Sequence, residues 1–235
     1  MRKPDSFIDR RTEFAKSVGF EQLYSYIDHF GLYAGQHTIG NKLFTYEMFK
    51  LASAVPGDIA EFGCWKGSNL LFLAKLKGLF EPHSPKRVLG FDNFAGLPEP
   101  VSQDGKFAQA MTGSYHGSEQ VLREAITLFE LDDLVELIVG DGRETIPQFI
   151  EQTPHCVLSF AYLDFDLYEP TRLALELIDQ SISVGGVIVF DQACTQEWPG
   201  ETLAMKEFLA GSAHQFEAIN NTFSRQPTMA LKRVA

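Results

Sequence analysis

From Pro56 onward, short apolar runs alternate with longer amphipathic segments, and this alternation constrains the fold more than any other feature of the chain. The runs are DIAEFG (58–63), RVLGFD (87–92), VELIVGD (135–141), CVLSFAYLD (156–164) and GGVIVFD (185–191). Helical periodicity falls between them at about 68–80, 118–131, 143–152 and 169–183, and again around 199–211. Strands separated by helices predict a parallel sheet covered on both faces. The tail segments FEAINNTF and TMALKRV flank SRQP and suit an antiparallel hairpin. The expected fold is therefore α/β: a doubly wound sheet of five parallel strands plus a C-terminal antiparallel hairpin. Ahead of it, residues 1–55 read as a helical segment, with FEQLYSYIDHF and KLFTYEMFKLASAV at helical spacing and GLYAGQHTIGN (31–41) as a loop between them.

In such sheets ligands bind outside the carboxyl ends of the strands. Those ends carry Glu61 with Gly63, then Asp92, Asp141, Asp164 and Asp191. One acid at a strand end is ordinarily a cap or turn residue. Five on one rim point to a ligand with hydroxyls, amines or a cation to satisfy. The first crossover, EFGCWKGSN, has Gly63 and Gly67 for a tight turn, with the helix beginning near Ser68. It lacks the middle glycine of the dinucleotide fingerprint and places Trp65 in the turn, which argues against a nicotinamide-dependent oxidoreductase. Glu61 suits a cationic amine, Asp92 the two hydroxyls of a ribose, and Asp141 an adenine amino group, with Gly142 leaving room for the ring. Amino acid, ribose and adenine, met in strand order, compose S-adenosylmethionine.

The composition excludes some partners. Formal net charge is −11, with 31 acidic and 20 basic residues, so there is no basic footprint for nucleic acid. Cys64, Cys156 and Cys194 lack metal or redox spacing and read as reduced thiols. The first residues, MRKPDSFIDRRTEF, lack the apolar core of a secretory signal, and no apolar run is long enough to span a bilayer. The expectation is a cytoplasmic protein without membrane partners. Phe20, Leu23, Tyr24, Ile27 and Phe30 leave a homo-oligomer open, since they suit packing on their own domain or on a second subunit.

The pieces HTIG, PGDIAEFGCWKG, GFDNFAGLPEP, GDGRETIP, LDFDLYEPT and VGGVIVFD together resemble the macrocin O-methyltransferase family, from about residue 36 to residue 209. The resemblance implies a Rossmann-like core, a helical lid segment (1–55) over a single S-adenosylmethionine-binding domain (56–235), and methylation of a hydroxyl on a sugar or polyhydroxylated natural product. It implies that HTIG belongs to the lid, bringing Thr38 to the cofactor, and that Trp65, Asn93, Phe94 and Asp164 join the cofactor contacts. It also implies a divalent cation, Mg²⁺, on Asp164 and on a pair of acids ending the next strand. Here that pair is Asp191 and Gln192. The amide removes one negative charge but keeps an oxygen able to ligate a hard cation. Without a metal, a side-chain base is needed, and Asp164, His37 and His116 are the candidates. The segment 101–117 is expected to border the acceptor pocket, and Asp166 to cap or brace the helix after DLYEPT. A degenerate protein that binds the cofactor without catalysis stays open on the strength of Gln192.

Overall fold

The computed structural model describes residues 23–235, with side chains from Tyr26 onward. The helices are α1 (Leu23–Asp28), α2 (Phe30–Tyr33), α3 (Gln36–Ala52), α4 (Ser68–Phe80), α5 (Gly105–Ala110), α6 (Glu119–Leu128), α7 (Gly142–Gln152), α8 (Tyr168–Ser181) and α9 (Pro199–Gly211). The strands are β1 (Asp58–Phe62), β2 (Val88–Asp92), β3 (Val135–Val139), β4 (Leu158–Leu163), β5 (Ile182–Phe190), β6 (Phe216–Asn220) and β7 (Met229–Arg233). They form one seven-stranded Rossmann-like sheet in the order β3-β2-β1-β4-β5-β7-β6. β1 to β5 are parallel, and β7 runs antiparallel to both β5 and β6. Strand order reverses between β1 and β4, and that reversal opens a crevice above their carboxyl ends.

The central strands are buried on both faces, and all six residues of β4 are buried, whereas β3 and β6 at the sheet edges keep exposed residues. Phe44 and Phe49 of α3, Leu70 and Leu73 of α4 and Leu122 of α6 cover one face. Ile146 of α7, Ala174 and Ile178 of α8 and Ala204 of α9 cover the other. Among the described residues no helix is long and apolar enough to cross a membrane. Cys64 is buried, Cys194 is exposed, and none of the three cysteines is paired.

The structure corrects the sequence reading in several places. GLYAGQHTIGN is not a loop: α2 ends at Tyr33, and α3 starts at Gln36 and runs through His37, Thr38, Ile39 and Gly40. Gly40 is a packing residue rather than a helix breaker, since a Cβ there would lie 2.5 Å from the Phe223 carbonyl oxygen. Segment 101–117 is not plain loop but holds a 3₁₀ turn at Ser102–Asp104 and the short α5. β5 starts at Ile182, where expectation placed helix, because Ile182 is already extended as the cap of α8. Residues 1–22, which include Phe20 and carry the leader-sequence expectation, lie outside the described residues, as do the side chains of Leu23 and Tyr24. Ile27 and Phe30 are exposed.

Candidate active site

The crevice holds a cavity of about 280 Å³ at the carboxyl ends of β1, β2, β4 and β5. Its construction starts with Gly63, which follows β1 at φ +95°; a Cβ there would lie 2.1 Å from the Asp164 carbonyl oxygen. Only glycine lets the ends of β1 and β4 approach this closely. The chain then turns through Trp65 and Gly67 into α4, whose first residue is Ser68. Asp92, the last residue of β2, fixes this turn. One of its oxygens accepts from the Trp65 backbone N–H at 2.7 Å, the other from the Phe94 N–H at 2.6 Å. Burial raises the Asp92 carboxyl above its usual range, and these hydrogen bonds oppose the rise. Trp65 is half-exposed, donates from Nε1 to the His116 carbonyl at 3.2 Å and meets Tyr115 edge-on at 5.7 Å. Asn93 accepts from the Ala95 N–H at 2.8 Å and donates to the Gly96 carbonyl at 3.0 Å, which shapes the loop beside it.

Asp141, past the end of β3, is the N-cap of α7. It accepts from the Arg143 N–H at 2.9 Å and pairs with the Arg143 guanidinium, which holds its carboxyl below the usual range. Gly63, Trp65, Asp92, Asn93, Asp141 and Gly142 all line the cavity. Thr38, Gly67, Ser68 and Phe94 do not, and Glu61 lies beneath it within β1, 1% exposed. His37 and His116 are both exposed and line no part of the cavity.

The opposite wall is built from Asp164, Asp166, Asp191 and Gln192. Burial pushes the Asp164 carboxyl well up, and the charges of Asp191, Asp166, Glu201 and Glu61 push it further. Asp191 accepts from the Tyr162 hydroxyl at 2.6 Å. Burial still lifts it to about 6 against that hydrogen bond and the charge of Lys42. Asp166 does not cap α8. It sits at φ +63°, 7% exposed, and its Oδ1 has no partner. The α8 backbone is held instead by Asp104, which accepts from the Tyr168 N–H at 2.6 Å and the Val101 N–H at 2.8 Å. The Asp166 carboxylate is thereby left to the cavity.

Sequence reading missed Glu201 and Lys42. Glu201 is fully buried on α9, and its Oε1 accepts from the backbone N–H of both Gln192 and Ala193, at 3.1 and 2.9 Å. It pins the loop that carries Asp191 and Gln192. Lys42 comes from α3, inside the segment read as lid. The available signal for Glu201 was WPGE, with Pro199 at the helix start and an acid in the first turn. Lys42 gave none, because its contacts depend on tertiary packing.

As to a divalent cation, no three His, Cys, Asp or Glu converge as a metal cluster among the described residues. The donor set that does face the cavity is Asp164, Asp191 and the amide of Gln192, whose Oε1 is buried and unpartnered. Two carboxylates and a neutral oxygen fit a hard cation that retains several waters. The cofactor's parts also find complements: a buried, unpartnered Glu61 Oε2 for an amine, and Asp92 with acceptor capacity beyond its two backbone donors.

The sheet order, with its cavity at the switch point and acids at the strand ends, defines a Rossmann-like α/β protein with a candidate ligand crevice. The chain belongs to the macrocin-O-methyltransferase (TylF) family, whose model matches residues 46–219. It is 32% identical over 149 residues to the 8-demethyl-8-(2,3-dimethoxy-alpha-L-rhamnosyl)-tetracenomycin-C 4'-O-methyltransferase of Streptomyces olivaceus, covering 60% of this chain and 54% of that one. It is 29% identical over 150 residues to the demethyldecarbamoylnovobiocin O-methyltransferase of Streptomyces niveus, with the same coverage of 60% and 54%. The chain thus spans about half the length of the curated relatives it matches. Among solved structures, the calicheamicin methyltransferase CalS11 superposes with a TM-score of 0.81 at 28% identity, over 99% of this chain and 94% of that one.

Proposed function

We propose that the chain is an S-adenosylmethionine-dependent O-methyltransferase whose acceptor is a hydroxyl of a sugar or polyhydroxylated natural product, with residues 56–235 as the cofactor-binding domain and 1–55 as its lid. The observation that carries the proposal is the division of one cavity between an ordered cofactor wall and an unsatisfied acidic wall. On the first, the Glu61, Asp92 and Asp141 positions follow the order of amino acid, ribose and adenine. On the second, Asp164, Asp166 and Asp191 face the space where an acceptor would lie. The names of the two relatives, both O-methyltransferases and the first of a rhamnosyl compound, support the same reading.

The cofactor supplies an electrophilic methyl group on a sulfonium. When bound, S-adenosylmethionine would give its methyl carbon to the acceptor oxygen, its carbon–sulfur bond breaking, and would leave as S-adenosylhomocysteine. The protein must align the oxygen and take its proton. We assign the proton to Asp164, which ionises more readily once a positive charge faces it. Asp191, oriented by Tyr162, and Gln192, held by Glu201, place the acceptor's hydroxyls. If a divalent cation takes part, Asp164, Asp191 and Gln192 would hold it, and it would lower the pKa of the acceptor hydroxyl. A metal-independent version, with Asp164 as the base, is the second reading, and the amide at position 192, one negative charge fewer than a pair of acids would give, is what keeps it open.

The test combines calorimetry with methyl transfer. S-adenosylhomocysteine is expected to bind, and labelled methyl from S-adenosylmethionine to reach TDP-rhamnose, the sugar named for CalS11, or a related deoxysugar. Transfer abolished by EDTA and restored by Mg²⁺ selects the cation-assisted version; transfer indifferent to EDTA selects the other. Absence of any binding of S-adenosylhomocysteine sinks the proposal.

A further inference from the structure

Asp166 belongs to the acidic wall but takes neither the proton nor a place among the cation's donors. It lines the cavity, is 7% exposed, and its Oδ1 is buried with nothing to accept from. Its backbone sits at φ +63°, a conformation that a side-chain-bearing residue keeps only when its surroundings impose it. The Leu167 N–H donates to the Phe165 carbonyl at 2.7 Å and closes a tight turn around Asp166. Leu167 is in turn buried against Trp198 and Ala108. None of this uses the Asp166 carboxylate, because Asp104 takes the Tyr168 N–H.

Tyr115 lines the same cavity, also left-handed at φ +60°. Burial raises its phenol, and the charges of Asp166 and then Asp164 raise it further, so the three groups share one space. The strap carrying Tyr115 is seated by backbone contacts: Leu97 N–H to the Ser114 carbonyl at 2.8 Å, and Gly113 N–H to the Leu97 carbonyl at 2.9 Å. Leu97, Pro98 and Trp198 add apolar surface to the lining. An occupant must therefore give Asp166 a hydrogen-bond donor and give its neighbours apolar contact. A sugar ring does both, with hydroxyls at its edge and C–H groups on its faces. A hydroxyl donated to a buried, unpartnered acceptor also removes the penalty of leaving that acceptor unmet.

We propose that Asp166 binds a second hydroxyl of the acceptor sugar, distinct from the one methylated, and so selects which ring position meets Asp164. This rests on the function proposed above and adds regiochemistry to it.

The experiment follows labelled methyl transfer at saturating Mg²⁺ to TDP-rhamnose and to its analogues lacking one ring hydroxyl each. Wild type should lose transfer altogether when the methylated hydroxyl is missing. It should lose about 10- to 100-fold in kcat/KM when the hydroxyl facing Asp166 is missing, the range for a hydrogen bond to a charged group. In Asp166→Ala the parent sugar should fall by the same factor, chiefly through KM, and that analogue should fall no further. Asp166→Asn keeps an acceptor oxygen, should retain part of the difference, and reads it should the alanine variant not fold. Penalties left at their wild-type values in both variants would overturn the inference. So would a weaker affinity for S-adenosylhomocysteine or a higher Mg²⁺ requirement in both, since either assigns Asp166 to the cofactor or the cation. Wild type that binds S-adenosylhomocysteine but methylates none of these sugars overturns the inference and leaves the cofactor reading standing. Absence of that binding fails the reading itself, and the inference with it.

Discussion

The two halves of the strand-end rim use the same residue type in opposite ways. On the β1–β2–β3 side, Asp92 and Asp141 spend their oxygens on backbone N–H groups and on Arg143, and only Glu61 Oε2, beneath the cavity, is left over. On the β4–β5 side, Asp166 Oδ1, Gln192 Oε1 and Glu201 Oε2 are buried with nothing to accept from. The first set shapes turns and presents a finished surface. The second is held in an unfavourable state by the surrounding fold, which is how sites store readiness for a ligand. The difference teaches that an acid at a strand end becomes a candidate for chemistry when its partners are missing, not when its position is right.

Four substitutions or titrations would break or sharpen that contrast. The largest effect belongs to Asp164→Asn, expected to lower methyl-transfer kcat by about 10²- to 10⁴-fold, the range for removing a general base. Steady-state assay checks it, and retention of a tenth of the rate would move the base elsewhere. Next, Asp92→Ala strands the N–H groups of Trp65 and Phe94, so it should cost about 2 kcal/mol and roughly 4–8 °C in Tm. Denaturant and thermal melts measure it; an unchanged Tm would mean the turn is held by other contacts.

The third is a pH titration of the ligand-free protein. Glu61 is raised to about 8 and Asp191 to about 6, in both cases chiefly by burial. Unfolded, both groups ionise in the ordinary carboxylate range, so between that range and their raised values the folded chain holds protons the unfolded chain has released. Their contribution to stability is fully present below the unfolded pKa and is lost as pH climbs through 6 and then 8. Tm should therefore decline from pH 5 to pH 8, the reverse of a protein held by salt-bridged carboxylates. A Tm that climbs over that interval would contradict the burial of Glu61 and Asp191 as raised carboxyls. The smallest effect is Asp166→Asn, which replaces a buried carboxyl that burial and Asp191 already push toward its neutral form and whose Oδ1 has no partner; it should be neutral or stabilising by up to about 1 kcal/mol. Loss of stability there would reveal a partner for Asp166.

How much of this was readable in the sequence follows from which contacts are local. The parallel strands declared themselves because a strand buried on both faces must be apolar throughout, as in LSFAYL of β4. The helix after β3 was legible from its periodicity at 143–152, whereas the pairing of Asp141 with Arg143 was not foreseen. Gly40 misled, because a glycine that yields room to a distant backbone looks the same in sequence as one that ends a helix. Asp104 and Tyr168 are 64 positions apart, so nothing near either residue shows that one holds the helix of the other. Asp166 was consequently given a capping role that Asp104 fills. Lys42 and Glu201 belong to the same class: their environment is assembled by packing between helices and sheet.

The contact of α3 with the turn between β6 and β7 carries a consequence for biosynthesis. Gly40 lies against Phe223, and Asn41 donates to the Gln226 carbonyl across 185 positions of sequence. During translation the nascent chain exposes this side of α3 until that turn has left the ribosome, whereas the β1–α4–β2 unit can pair long before. Contacts of such sequence separation form late and slowly. The part of the cavity wall that Gln226 supplies is thus completed last in synthesis, and a ribosome stalled before residue 223 would display a cleft with that wall missing.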